Sequence, residues 1–259
     1  AFPIPHFNDA DQVTPQDLQG KRAYGSDMAD TEAAVVARKL ERIRRNYTMT
    51  MEMARAYAIT TGSLYAPNGT VADNYYASFG ITRKETDFVL GTATTDLGAK
   101  IEEVIAHTQD NILSGEVISG VAVLCSPEFF TAFINHASIK DAYKYYVSTQ
   151  EPLRNRLGSG IVRTFVHQGI TLTEVRGSVN GQRFIPAGDA YSVPTGTQDI
   201  FVSYFSPANK SSLVNTLGEE LYVFQYRDPK DEGLSLESES NQVHLIRKPA
   251  AVTRLFSSN

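Results

Sequence analysis

Cysteine and tryptophan are nearly absent from this sequence: among its 259 residues there is one cysteine, Cys125, and no tryptophan. With a single cysteine the chain cannot form an intramolecular disulfide, and a zinc site built from several cysteines is excluded. Cys125 ends the apolar run 121–125, a pattern that predicts a small buried hydrophobic residue. The alternative is a nucleophilic thiol, because Cys125 precedes a predicted helix start, where the pKa of a thiol falls.

Long apolar runs and an excess of positive charge are missing as well. No stretch approaches the roughly 20 consecutive apolar residues that a membrane-spanning helix needs, so we predict no membrane contact. The formal net charge at pH 7 is −5, whereas a surface that wraps nucleic acid carries clustered positive charge. The charge therefore argues against a dedicated nucleic-acid-binding protein, although a protein that merely encloses DNA is still allowed.

The motifs of common catalytic and nucleotide-binding sites do not occur. The sequence has no Gly-x-x-x-x-Gly-Lys-Ser/Thr loop, no Gly-x-Gly-x-x-Gly fingerprint and no Gly-x-Ser-x-Gly elbow. Adjacent carboxylates such as Glu102 and Glu103 point in different directions on a helix or strand, which makes them a poor acid–base pair. We therefore predict no catalytic residue, no cofactor and no metal site. The five histidines lie far apart, without zinc-motif spacing: His6, His107, His136, His167 and His244.

The strongest local pattern lies in residues 30–61, which contain neither proline nor glycine. Gly62 supplies a C-terminal stop, and Ser26, Asp27 and Asp30 are candidate N-caps. At 1.5 Å per residue such a helix is roughly 45 Å long. Because a small globular core cannot cover that length, we expect one end or face to contact something else. Apolar residues recur at spacings of three and four, along one helical stripe: Val36, Leu40, Ile43, Tyr47, Met51, Ala54 and Ala58.

A basic cluster lies on this helix away from the apolar stripe. One hypothesis is that it pairs with acidic residues of neighbouring subunits, and a second is that it contacts enclosed DNA. A third is a solvated face on which Glu41 is a local partner. We select Arg38, Arg42 and Arg45 as candidate subunit-interface residues. The whole cluster comprises Arg38, Lys39, Arg42, Arg44 and Arg45.

The remaining pattern predicts an α+β protein. Asn68-Gly69 predicts a hairpin turn after the long helix, and further helices are predicted at 96–113, with Thr95 as its cap, and at 139–147. Ser126 and Pro127 resemble an N-cap followed by proline at the first helical position. From residue 161 onward short strands and turns dominate. Helices and strands therefore segregate along the chain, without a regular βαβ repeat.

The first 25 residues have a different composition. They are rich in Pro, Asp, Asn and Gln, and their apolar residues show no helical period. We predict an extended arm that buries little of itself and becomes ordered only against a partner surface, because it cannot offset its own chain entropy. A frayed terminus is the alternative.

Several segments in series resemble one known family. Residues 184–191, with the sequence Phe-Ile-Pro-Ala-Gly-Asp-Ala-Tyr, are similar to a recurring stretch of lambda-like major capsid proteins of tailed bacteriophages, the capsid protein E family. Further segments before, within and after the long helix resemble the same family, and they follow its order along the chain. These segments are 193–197, 204–208, 214–218, 237–241, 247–252, 3–6, 17–25, 38–46 and 69–80.

The resemblance implies an α+β fold of the Hong Kong 97 capsid type. Residues 1–25 would be the returning strand of the extended loop, and residues 26–94 the spine helix and hairpin of the peripheral domain. Residues 95–237 would form the axial domain, and residues 238–259 would return to the peripheral domain. Family members carry a further segment before the returning strand, so we expect residues 2–19 to lack their hairpin partner.

The resemblance also implies a structural function. The chain would assemble with copies of itself into the hexamers and pentamers of an icosahedral phage or prophage head that encloses double-stranded DNA. Scaffold, portal and decoration proteins are further expected partners, and the expected location is the virion, assembled in the host cytoplasm.

Three alternatives stay open at this point. An encapsulin-type nanocompartment shares the fold but encloses a cargo enzyme. A decoration or tail-tube subunit is a second virion component, which the long helix disfavours. A small enzyme could assemble its site from distant residues, and it would show a pocket with convergent polar groups around His107, Cys125 or His167.

Overall fold

A computed structural model of the chain describes residues 2–19, 31–112, 116–144, 162–230 and 232–258. The helices are α1 (Pro15–Leu18), α2 (Glu32–Thr61), α3 (Tyr75–Phe79), α4 (Leu97–Asp110), α5 (Pro127–Asn135) and α6 (Ala137–Lys144). The strands are β1 (His6–Val13), β2 (Ser63–Tyr65), β3 (Val71–Asn74), β4 (Glu85–Asp87), β5 (Gly120–Cys125), β6 (Thr164–His167), β7 (Ile170–Glu174), β8 (Ser178–Val179), β9 (Gln182–Arg183), β10 (Ala190–Thr195), β11 (Phe201–Ser206), β12 (Tyr222–Arg227), β13 (Leu234–Ile246) and β14 (Thr253–Phe256).

The chain divides into two compact units. The first comprises Ala1–Ala54, Tyr65–Ala72 and Ser203–His244, and the second comprises Arg55–Leu64, Asp73–Val202 and Leu245–Asn259. These units are not the domains predicted from the sequence. We still predict that residues 1–25 belong to an extended loop, that residues 26–94 and 238–259 form a peripheral domain, and that residues 95–237 form an axial domain.

The predicted long helix is confirmed as α2, which has 30 residues. It ends at Gly62, whose left-handed φ of 67° suits glycine and whose N–H donates to the carbonyl of Ala58 over 3.0 Å. At its start the side chain of Thr31 accepts a hydrogen bond from the N–H of Ala34, as a capping residue does. The candidate caps Ser26, Asp27 and Asp30 lie outside the described residues.

The first unit packs residues 32–54 of α2 on an antiparallel sheet. Strands β1 and β12 both pair with residues 234–239 of β13, so they flank it on opposite sides. Strand β11 also pairs with β13. Because side chains alternate across a strand, alternate residues of β1 and of the first half of β13 face the helix. The resulting core is formed by Phe7, Val13, Leu236, Val35, Ile43 and Tyr47.

The prediction that the N-terminal arm becomes ordered only against a partner surface is wrong for strand β1. Residues 6–13 pair along their whole length with β13, from His6 opposite Asn241 to Val13 opposite Leu234. Phe7 and Val13 are buried in the core of the first unit. This ladder satisfies the backbone hydrogen bonds of β1, so the segment has a partner within its own chain.

The second unit contains a mixed sheet in the order β4-β14-β10-β5-β7-β6. Helices α4 and α5 cover it with apolar side chains, and the rings of Phe88, Phe129, Phe133 and Phe165 contact one another. The prediction for Cys125 is confirmed, because this residue is fully buried in the same core.

The other predicted elements are confirmed with small corrections. The turn at Asn68-Gly69 lies between the paired strands β2 and β3. The side chain of Ser126 caps α5 with Pro127 at its first position. The cap of α4 is Asp96 and not Thr95, because the Asp96 carboxylate accepts from the N–H of Ala99 over 3.1 Å. Residues 113 and 145–147 of two predicted helices lie outside the described part.

Candidate subunit-interface site

The residues considered for an enzyme are held in separate structural contacts. His107 bonds through Nε2 to the carbonyl of Ala250 over 3.0 Å, and the ring of His167 stacks on Phe165. Burial raises the pKa of Cys125, and a thiol that stays protonated is a poor nucleophile. Among the described residues, no group of three or more His, Cys, Asp or Glu side chains could hold a metal ion.

Part of the basic cluster anchors β1 within the same chain. Lys39 donates from Nζ to Asp11 Oδ1 over 3.1 Å and to the carbonyl of Gln12 over 2.6 Å. Arg42 also donates to the Asp11 carboxylate. Burial opposes ionisation of Asp11, but hydrogen bonds from Lys39 and Gln12 and the charges of Lys39 and Arg42 outweigh it and lower its pKa. Asp11 was not singled out from the sequence.

The remaining residues of the basic cluster are exposed. Arg45 lies 3.9 Å from Glu41 in an i,i+4 pair, and both side chains are 70% exposed, so the pair contributes little to stability. Arg38 and Arg44 are exposed too. The structure thus separates the three candidates, because Arg42 contacts β1 while Arg38 and Arg45 lie on the outward surface. Their role at a subunit interface stays a prediction.

Tyr47 is a second anchor between α2 and the sheet. Its hydroxyl donates to the carbonyl of Ser238 over 2.9 Å, and burial raises its pKa. The Ser238 hydroxyl in turn donates to the carbonyl of Asp9. One tyrosine therefore links the helix to β13, and one buried serine links β13 to β1. The helical spacing predicted that Tyr47 is buried, but not its hydrogen bond.

Two apolar features of the first unit remain accessible. The first is the loop 207–221 between β11 and β12, where Val214 is 67% exposed and Leu217 is 91% exposed. The second is an open groove of about 670 Å³ beside the N-terminal half of α2. Apolar side chains and grooves that stay accessible on a folded unit are candidates for contact with another molecule. Among the described residues, no helix combines the length and apolar content needed to cross a bilayer.

The known proteins that this chain resembles in sequence are major capsid proteins of phages. The family described as phage major capsid protein E matches residues 1–257. The major capsid protein of Pseudomonas phage KPP10 is 42% identical and aligns with 98% of this chain and 76% of its own length. The major capsid protein of Salmonella phage Felix O1 is 28% identical and aligns with 96% of this chain and 75% of its own length.

Solved structures agree on the fold. A prophage protein of E. coli CFT073, described as a capsid protein, superposes with a TM-score of 0.60 at 11% identity, covering 98% of this chain and 77% of its own. The capsid of the myovirus XM1 gives a TM-score of 0.54 at 9% identity, covering 99% and 74%. These similarities confirm the predicted α+β fold of the Hong Kong 97 type. On the match of residues 1–257 and the 42% identity, the chain belongs to the phage major capsid protein E family.

Proposed function

We propose that this chain forms the hexamers and pentamers of an icosahedral phage or prophage head that encloses double-stranded DNA. The observation that most strongly supports this proposal is the family match over residues 1–257. A major capsid protein is structural and not enzymatic, and the family favours it over the encapsulin alternative. Shell formation needs no single strong site, because many weak contacts repeated by symmetry add up to a closed assembly.

Within such a shell we assign α2 to the spine of a peripheral domain, which comprises residues 26–94 and 238–259. Residues 95–237 are then the axial domain around the hexamer and pentamer centres, and residues 1–25 belong to the extended loop. What supports this assignment is the fold together with the length of α2. The anchoring of β1 by Lys39 and Arg42 would give that loop a fixed base.

The exposed side chains of Arg38, Arg42 and Arg45 are proposed to contact acidic residues of a neighbouring subunit. Scaffold, portal and decoration proteins are proposed partners, and assembly is proposed to occur in the host cytoplasm before the protein is found in the virion. The net charge of −5 fits enclosure of DNA without tight phosphate contacts.

Negative-stain electron microscopy of the full-length protein, expressed with any scaffold it requires, tests this function. Closed polyhedral shells, or stable rings of five or six subunits, are the expected result. A folded monomer under every assembly condition would contradict it. Nuclease treatment of purified shells, followed by measurement of protected DNA, then separates a genome container from an empty one.

A further inference from the structure

The loop 207–221 is held in place by hydrogen bonds. Lys210 donates to Glu237 over 2.7 Å and lies over the rings of Phe224 and Tyr226. The N–H of Asn209 donates to the Glu239 carboxylate over 2.8 Å. These contacts fix the start of the loop on β12 and β13.

The end of the loop is anchored as well. The Tyr222 hydroxyl accepts from the N–H of Glu219 over 2.9 Å and donates to the carbonyl of Leu217 over 3.1 Å. The Ser240 hydroxyl donates to the carbonyl of Glu220 over 2.7 Å. The backbone is therefore ordered at the positions where Val214 and Leu217 project into solvent. We call these two side chains the apolar knob. Because the knob is preorganised, docking it costs little conformational entropy.

A groove on the same unit is lined by apolar side chains, as a binding site for the apolar knob requires. It runs beside the first turns of α2, and an ion pair of 3.0 Å between Arg227 and Glu32 lies at its edge. It is open and has a volume of about 670 Å³, so it can accept more than one aliphatic side chain. We call it the α2 groove, and its apolar lining consists of Ala33, Val36, Ala37, Leu40 and Leu234.

The knob does not lie over the groove of its own chain. Along β12 the side chains alternate between the two faces of the sheet. Gln225 and Arg227 line the α2 groove, whereas Phe224 and Tyr226 face Lys210 at the start of the loop. The start of the loop therefore lies on the face of the sheet opposite the groove. Because Val214 and Leu217 are also exposed, their docking in a groove has to join two molecules.

Charge supports a second copy of the chain as the occupant. Glu219 and Glu220, next to the knob, are exposed and form no ion pair with any residue that the structure describes. Arg44 lies one helical turn beyond Leu40, so it continues the groove-lining stripe of α2. It too is exposed and has no acidic partner in the described part of the chain. Because the charges of Glu219 and Glu220 are opposite to that of Arg44, they would attract each other across a contact between two copies.

We propose that Val214 and Leu217 of one subunit dock in the α2 groove of the next copy, with Glu219 and Glu220 beside its Arg44. Knob and groove are different surfaces, so the contact is head-to-tail and can close into a ring or continue from one ring to the next. This inference rests on the proposed shell function and names one of its subunit contacts.

Engineered cysteines test the pairing in the assembled full-length protein. The double variant Leu217→Cys with Ala37→Cys should form intermolecular disulfides on mild oxidation, because Ala37 is exposed in the groove. The natural Cys125 is fully buried and gives no background. On a non-reducing gel we expect a ladder of multimers at least tenfold stronger than in either single variant. Val214→Cys with Ala33→Cys is a second pair, in case the first disturbs folding.

The matched control is Val71→Cys with Ala37→Cys. Val71 is an apolar residue of the same unit with 53% exposure, but it lies outside the knob, so no ladder is expected. Microscopy of the same samples separates two kinds of failure. If shells form and neither knob–groove pair gives a ladder, the docking contact is wrong while the shell function stands. If no shell or ring forms under any condition, the function fails and the docking proposal fails with it.

Discussion

Arg163 holds Glu174 by two hydrogen bonds, from Nε to Oε2 and from Nη2 to Oε1, the second over 2.8 Å. The side chain of Glu174 is 1% exposed, and Arg176 also pairs with its Oε1 atom over 2.7 Å. Arg163 and Arg176 thus share the Oε1 atom of Glu174. The guanidinium of Arg163 also lies over the ring of Phe130. These contacts fix the chain entering β6 to the end of β7, at the edge of the second unit's sheet.

Replacing Glu174 by Gln should destabilise the protein by roughly 2 kcal/mol, because hydrogen bonds to charged groups of this kind contribute about that much. The loss is not larger because Arg163 and Arg176 are partly exposed and their charges are screened by solvent. Urea unfolding followed by circular dichroism measures the loss. Glu128→Gln is the control, since its pair with Arg183 is half exposed. Equal effects of the two variants would contradict the prediction.

The same carboxylate should make stability depend on pH. The hydrogen bond from Arg163 lowers the pKa of Glu174 below the ordinary glutamate value of 4.5, more than burial raises it. A lowered folded-state pKa means that the stabilisation is present above about pH 4.5 and is lost as the pH falls through the folded-state pKa. The difference in unfolding free energy between the parent protein and Glu174→Gln should therefore shrink between pH 6 and pH 3. A constant difference over that range would refute this assignment.

Strand β1 should loosen when its acidic anchor is removed. Asp11→Asn weakens the contacts with Lys39 and Arg42, and we expect a loss of about 1 kcal/mol together with faster amide hydrogen exchange in residues 6–13. Asp9→Asn changes the same charge on the same strand, where the carboxylate makes no ion pair within the described residues. Unchanged exchange in Asp11→Asn would show that the β13 ladder alone holds the strand.

The helix α2 and the cap of α5 could be predicted from the sequence because both depend on neighbours close along the chain. Apolar spacing, Gly62 and the Ser126-Pro127 pair carry that information locally. The placement of β1 could not be predicted in this way. Its partner lies 235 residues away, from His6 to Asn241, and only two of its side chains are fully buried.

The full length of strand β13, Leu234–Ile246, could not be predicted from the sequence for a related reason. Its inward positions include Ser238 and Ser240, which are buried but polar, so the alternation of buried and exposed residues is hidden in a hydropathy pattern. Their hydroxyls are satisfied by backbone carbonyls of Asp9 and Glu220, contacts that no local pattern encodes.

Charge reversal at Arg45 should lower the yield of assembled shells while leaving the stability of the folded chain nearly unchanged. Among the residues that the structure describes, Arg45→Glu loses only the exposed pair with Glu41, so the free energy of unfolding should change by less than about 1 kcal/mol. If Arg45 contacts an acidic neighbour, the yield of shells in microscopy and sedimentation should fall several-fold, because like charges then meet at each copy of the contact. Arg42→Glu should reduce both shell yield and stability, since Arg42 also binds Asp11. Normal shell yield in both variants would remove this basic surface from the interface and leave it a solvated face of α2.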